Sequence, residues 1–315
     1  MKIEMHLFED YKAAAITRLR RLISRGLRVK GLPQGRIPDD EWFDAKGLDY
    51  YFEYLHRRIP AHPRMVRECS CFCCPDDLKD EYSKIKDEIT TGVDLSNRQT
   101  WRIDRAGSHD PCFNEWGLHH LHFSKRNGDM WEVDEKRILF IYVTDEAVYV
   151  IRVGGHGDFE DIDLVAELNK DYPQLFSHLK GAGKTGRRTK EDVEKMRQAN
   201  VNVIDVLDGG ALACLGGGMM ANGCSAAECM NLIVTRHRLD AAEKVIASKF
   251  QDAVMRGFPD RPDIYDRKSI NLKLIATNDD NLINDDRLIL ECEELCLKVG
   301  LRDKDQEMRL IIGLY

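Results

Sequence analysis

The sequence predicts an α+β protein in three parts: a helical N-terminal region over residues 1–106, a central antiparallel meander with a following helix over 107–180, and an α+β region over 181–315. Three observations carry this. Apolar residues recur at three- and four-residue steps through the N-terminal third, as in amphipathic helices. Between Leu118 and Val153 they gather instead into short apolar runs bounded by turn residues, as in strands. Beyond a basic, glycine-bearing connection, Gly181 to Lys190, helical and strand-like segments alternate.

The first helix is written by Phe8, Tyr11, Ala15, Ile16, Leu19, Leu22, Ile23 and Leu27, and Gly26 and Gly31 weaken and end it. Arg18, Arg21, Arg25 and Arg28 lie together along another of its faces. Leu48, Tyr51, Phe52, Leu55 and Ile59 predict a short second helix stopped by Pro60. Leu78, Tyr82, Ile85 and Ile89 predict a third, opening after Pro75-Asp76 and closing at Gly92. Leu118 to Phe123, Ile138 to Val143 and Val148 to Val153 then read as three strands. An Asn127-Gly128 turn signal and the short Thr144-Asp145-Glu146 connection make them a meander. Phe159, Ile162, Leu164, Val165 and Leu168 form the following helix, with Asp158 as N-cap and Pro173 as terminator. Further on come an exposed helix, Glu191 to Gln198, a strand, Asn202 to Val206, a turn at Asp208-Gly209-Gly210 and a returning strand, Ala211 to Leu215. Ser225 and Glu228 form a capping box for a long helix reaching about Phe250. The tail holds two strands, Ile270 to Ala276 and Arg287 to Leu290. No repeat is visible.

Composition narrows the function classes. With 43% hydrophobic and 32% charged residues, the chain is globular and not a disordered tether. Its longest apolar runs, Ile138 to Val143 and Ala147 to Ile151, fall far short of the about 20 residues a bilayer span needs. No basic-then-apolar leader opens the chain, so a cytoplasmic protein without membrane contact is expected. Ten cysteines in that setting read as reduced thiols. Cys71 and Cys74, within the Cys69–Cys74 crowd, have zinc-type spacing, but no second pair follows at a finger-like distance. Four small thiols on a strand or turn are expected there. Cys292 and Cys296, four apart, are expected in the core side of a helix. The formal charge of −7 is uneven: Met1 to Arg67 carries fourteen Lys/Arg against nine Asp/Glu, and Thr144 to Leu175 two against eight. A basic N-terminal part suits contact with a polyanion such as RNA; a solvated helix face is the alternative.

Leu118-His119-His120-Leu121-His122-Phe123 is the segment richest in chemistry. Alternate residues on a strand share a face, so His120 and His122 point the same way, roughly 7 Å apart. His119, Leu121 and Phe123 point to the opposite face, which reads as core. Two strands later the Gly154-Gly155-His156-Gly157-Asp158 loop sends a third histidine out of the same sheet, and His109 lies a little upstream. Three functional readings follow. In metal-free phosphodiester cleavage, His120, His122 and His156 divide the proton transfers, Arg152 or Lys125 supplies charge, and Arg18, Arg21 and Arg25 hold RNA phosphates. The acidic Asp158, Glu160 and Asp161 beside His156 argue against it. In a metal-dependent hydrolase, the same three histidines bind zinc or another divalent ion, with Asp158 behind them. In a non-catalytic binding module they are core and surface groups. The sequence favours the first, with no cofactor, but does not separate it from the second.

Two glycine-rich stretches fail as nucleotide loops. Gly181-Ala-Gly183-Lys184-Thr185-Gly186 has His178 where a phosphate loop needs its first glycine, and no strand precedes it. Leu215 to Ser225 lacks dinucleotide-loop spacing and reads as a flexible turn between strand and helix.

On His120-Leu121-His122, the Ile138 to Val143 strand and the His156 loop, residues 107–178 resemble small bacterial toxin or phage-defence ribonucleases of the RelE/barnase type. Those combine a compact antiparallel sheet with helices and metal-free RNA cleavage. The resemblance implies a toxin- or defence-type endoribonuclease with His120, His122 and His156 in its site. The helices-first order and the much greater length depart from that family, and nothing outside residues 107–178 supports it.

Overall fold

The computed structural model describes residues 2–128, 130–132, 136–179, 187–207, 210–265, 267–275, 287–295, 297–304 and 307–314. It is an α+β protein. Seven helices of six residues or more occur among the described residues: α1 (Leu7–Ser24), α2 (Leu48–His56), α3 (Lys79–Thr91), α4 (Pro111–Trp116), α5 (Asp163–Asp171), α6 (Lys190–Gln198) and α7 (Ala226–Gly257). The central sheet has strands β1 (Met65–Glu68), β2 (Leu118–His122), β3 (Arg137–Val143) and β4 (Ala147–Gly155), in the order β1-β4-β3-β2. The chain gathers into two compact units: Met1–Arg25 with Ile37–Tyr51 and Met230–Tyr315, and Gly26–Arg36 with Phe52–Cys229. The boundaries expected after residues 106 and 180 both fall inside the second unit.

In the first unit α1 buries Tyr11, Ala15, Leu19 and Ile23 of the expected stripe together with Leu7, while Phe8, Ile16 and Leu22 are half-buried. The α7 helix buries Leu239, Ala242, Ile246, Phe250 and Val254 at the same three- and four-residue steps. The Leu7 N–H, unpaired by the start of α1, donates to the Glu243 carboxylate at 2.7 Å. Lys273–Ile275, Arg287–Cys292, Leu297–Lys304 and Glu307–Leu314 form an antiparallel sheet in chain order. Cys292 therefore ends a strand and is not on a helix; Cys296 lies outside the described residues.

The second unit contains the expected meander. β2 pairs antiparallel with β3, and β3 with β4, while β1 adds to β4 in parallel. One face of the sheet packs Leu121, Phe123, Leu139, Ile141, Val148 and Val150 against Tyr82, Ile85 and Ile89 of α3. The other packs Leu118, Ile138, Phe140, Tyr149 and Ile151 against Trp116 and, from α5, Leu164, Val165 and Leu168. Covering both faces explains why these strands read as continuous apolar runs with little alternation. β1 escaped the sequence reading because only Val66 on it is even partly buried.

Helix α3 opens with a short 3₁₀ turn, Asp76–Leu78, and ends at Gly92, whose φ of 77° requires glycine. Helix α5 starts later than expected. Asp158 does not cap it: its carboxylate accepts the Gly155 N–H at 2.9 Å and pairs with Lys190 at 3.0 Å, closing the 3₁₀ turn His156–Asp158. The glycine-rich turn before α7 is packed, not open. The Gly216 and Gly218 N–H groups donate to the carbonyls of Glu115 and Asn114, and a Cβ on Gly216 would lie 2.1 Å from the Phe113 oxygen. The Gly181–Gly186 segment lies outside the described residues.

Candidate functional site

The second unit holds a cleft of about 650 Å³ between the end of β2, the 3₁₀ turn after β4, the Gln99–Ile103 segment and α6. His109, His119, His120, His122 and His156 all line it. Register explains how three of them meet. His120 is opposite Phe140 and His122 opposite Ile138, while β4 runs on past Gly154, the partner of Ile138. The chain then turns at Gly155 and brings His156 back over β3. Ring centroids of His120 and His122 are 5.4 Å apart, His122 and His156 5.3 Å, and His120 and His156 6.1 Å. One nitrogen from each ring falls within 4.8 Å of the other two.

Each ring is held by packing. His122 stacks on Trp131 at 3.8 Å, and its backbone N–H donates to the Arg98 carbonyl at 2.8 Å. His120 meets Phe159 edge-on at 4.9 Å. His120 and His122 are 9% and 5% exposed, whereas His156 is open to solvent. Burial, then the neighbouring imidazoles, push His122 down to about 3 and His120 down to about 4. Both rings are neutral at pH 7. His119 departs from expectation: Leu121 and Phe123 are core, but His119 lines the cleft and packs on Phe113 at 4.4 Å. Burial, followed by His56 and His120, drives its pKa down to about 3.

Of Arg152 and Lys125, the two cations expected to supply charge beside the histidines, neither lines the cleft, while Arg18, Arg21 and Arg25 are expected to hold phosphates away from it. Arg152 pairs with Asp161 at 2.5 Å and Glu167 at 3.4 Å and does not line the cleft. Lys125 pairs with Glu88 at 2.7 Å, beside the fully buried Arg98. Arg18, Arg21 and Arg25 belong to α1 or its C-cap in the first unit, with Arg21 and Arg25 exposed. In their stead the cleft has Arg102 and Lys136, both exposed and neither ion-paired among the described residues. Trp101 and Trp131 add two broad aromatic surfaces. Trp131 had a signal in the sequence: the Asn127-Gly128 turn folds it back to pair with Arg126.

A buried ionic frame supports one wall. Glu115, fully buried on α4, accepts from Arg188 at 2.8 Å and from Arg197 at 2.7 Å. Arg197 also stacks over Trp116 at 4.1 Å and donates to the Phe159 carbonyl at 2.6 Å, fixing the ring against His120. A Ser–His–Glu relay nearby is a helix cap and no nucleophile. Ser225 Oγ lies 3.3 Å from His56 Nε2 and His56 Nδ1 is 2.8 Å from Glu228. Ser225 is 1% exposed, outside the cleft, and accepts the Glu228 N–H. Cys69 is buried and Cys71 and Cys73 exposed, and no cluster of three metal-ligating groups forms there among the described residues. No known protein family, curated protein or solved structure matches the chain. Among the described residues, no helix is long and apolar enough to cross a membrane.

Proposed function

We propose that this cleft cleaves phosphodiester bonds in RNA by general acid–base catalysis, with His120, His122 and His156 as the proton-transfer groups. The observation that carries the reading is the convergence of three imidazoles beside two exposed cations and two tryptophans. A phosphate needs the charge of Arg102 and Lys136, and bases need planar surfaces such as Trp101 and Trp131. His120 and His122, held neutral, keep a lone pair free for the ribose 2′-hydroxyl proton, though burial makes each a weaker base than an exposed imidazole. His156, reached by solvent, suits the acid that protonates the leaving oxygen and regains its proton from water. Arg152 and Lys125 have no part in this arrangement. The proposed setting is the cytoplasm, where RNA substrates are and exposed thiols such as Cys71 and Cys73 stay reduced. A toxin or phage-defence role belongs to the same proposal.

A second reading rests on the nitrogen spacing. Three histidine nitrogens within 4.8 Å can close on one zinc-class ion and leave a fourth position for water. One assay separates the two: incubation of labelled RNA, and of DNA of the same sequence, with purified protein with and without chelator. The first reading expects chelator-resistant cleavage of RNA alone, ending in a 2′,3′-cyclic phosphate, and a loss of about 10²–10⁴-fold in His122→Ala. Cleavage lost to chelator and restored by zinc or manganese selects the second. Equal cutting of DNA refutes the 2′-hydroxyl mechanism, no cleavage of any RNA refutes the first reading, and failure of the three histidines to bind any divalent ion refutes the second.

A further inference from the structure

A second cluster stands behind the cleft wall. Glu53 on α2, His109 ahead of α4 and Cys224 ahead of α7 each bring one ligand atom within 4.8 Å of the other two. His109 Nδ1 lies 3.2 Å from Glu53 Oε1. Glu53 is 6% exposed, and its other oxygen, Oε2, is buried with no hydrogen bond of normal geometry among the described residues. We infer that Glu53, His109 and Cys224 bind a zinc-class divalent ion, with the fourth position open toward the cleft that His109 lines.

The chemistry of the three donors supports the inference. A Glu–His hydrogen bond accounts for Oε1 and Nδ1 and leaves the buried Oε2 outside it, with only the Cys224 thiol, a weak donor, beside the carboxylate, and a poorly met buried carboxylate oxygen is costly. One cation among the three donors satisfies the carboxylate, the imidazole and the thiol together. Two ligands of a tetrahedral zinc ion sit about 3.3 Å apart given bonds of about 2.0–2.1 Å, close to the observed Glu53–His109 spacing. Cys224 has to move in by a modest amount. It sits in a turn after Gly223, whose φ of 86° lets the chain double back there. Thiolate with imidazole selects zinc, cobalt or cadmium over magnesium and calcium, which prefer all-oxygen sites. On binding, the thiol gives its proton to solvent and the ion takes its place. The ion ties together three segments far apart in sequence, and so braces the wall that carries His109. This site shares no ligand with the His120, His122 and His156 group and stands whether or not that group cleaves RNA.

The test uses the full chain, stripped with chelator and titrated with cobalt. A cobalt–thiolate bond absorbs in the near ultraviolet, and an all-histidine site does not, so the two clusters report separately. The expected result is one equivalent of cobalt producing the thiolate band. Cys224→Ser should abolish it, and the His120→Ala/His122→Ala double variant should keep it. Glu53→Gln should weaken cobalt binding at least tenfold, and it serves as the reading if Cys224→Ser does not fold. No near-ultraviolet band at saturating cobalt, an undiminished band in Cys224→Ser, or unchanged affinity in Glu53→Gln overturns the inference.

Discussion

Burial of the paired histidines makes the second unit acid-sensitive in a way that two substitutions can isolate. His120 and His122 have their pKa values lowered from 6.5 to about 4 and about 3, by burial first and neighbouring imidazoles second. Below pH 6.5 the unfolded chain therefore takes up protons that the folded chain refuses. Stability contributed by each neutral ring is whole above pH 6.5 and is lost as pH falls toward its folded value. Between pH 7 and pH 5 the loss is about 2 kcal/mol for each ring, at about 1.4 kcal/mol per pH unit below 6.5. His120→Asn and His122→Asn remove the titration while keeping a polar side chain. Each variant, whatever its stability at pH 7, should lose about 2 kcal/mol less than the unmodified chain on acidification to pH 5. In a unit of this size that narrows the melting-temperature gap between the two pH values by roughly 4–8 °C. Thermal melts in chelator, which keeps any ion from holding the rings neutral, measure it. An equal pH 7-to-5 gap in the variants and the unmodified chain would falsify the buried-neutral account.

Two other perturbations test the surroundings. Glu115→Ala removes the counter-charge that Arg188 and Arg197, 9% and 5% exposed, share, and leaves Arg188 with Asp205 and Arg197 with Glu160 at 4.0 Å; stranding a buried charge costs about 3–5 kcal/mol, so chemical denaturation should show a loss of about 3 kcal/mol, whereas a loss under about 1 kcal/mol means that the remaining carboxylates or water compensate both guanidiniums. Charge reversal at Arg18, Arg21 and Arg25 should weaken binding to single-stranded RNA and reduce the salt slope by about 0.7 for each phosphate no longer neutralised; an unchanged slope assigns these arginines to a solvated helix face.

Local signals in the sequence locate most of the second unit. The turn residues around Leu118 to Val153 and the spacing of Leu78, Tyr82, Ile85 and Ile89 lead directly to β2, β3, β4 and α3. Sharing of a strand face placed His120 and His122 together, and the Gly154-Gly155 break gave His156 a path to them. What stayed hidden depends on packing between distant segments. Arg152 reads as a site residue because it follows the histidine strand by two strands, but the carboxylates of Asp161 and Glu167 claim it. Lys125, close behind His122 in sequence, is taken by Glu88. Arg102 and Lys136, which stand in the cleft, sit in segments with no periodicity to read. The Glu53, His109 and Cys224 cluster spans more than half the chain, and only the fold brings it together.

The physical property that joins these observations is the dryness of the inner cleft wall. A buried imidazole is a poor base for a free proton because its charged form has lost water, so His120 and His122 present a lone pair where an exposed histidine would present a mixture of forms. A lone pair is what both a proton acceptor and a metal ligand must offer. Neutral neighbours also permit the approach of three rings to about 5–6 Å, which mutual repulsion would oppose if all were charged. Positive charge is then supplied at the rim by Arg102 and Lys136, where solvent keeps its cost small. A dry wall of neutral imidazoles below a wet rim where Arg102 and Lys136 stand beside Glu160 and Glu194 is the arrangement on which the proposed cleavage rests. Arg197, pinned between Glu115, Trp116 and the Phe159 carbonyl, keeps that wall closed behind His120. The frame around Glu115 thus reaches His120 through the packing of one phenyl ring, not through charge.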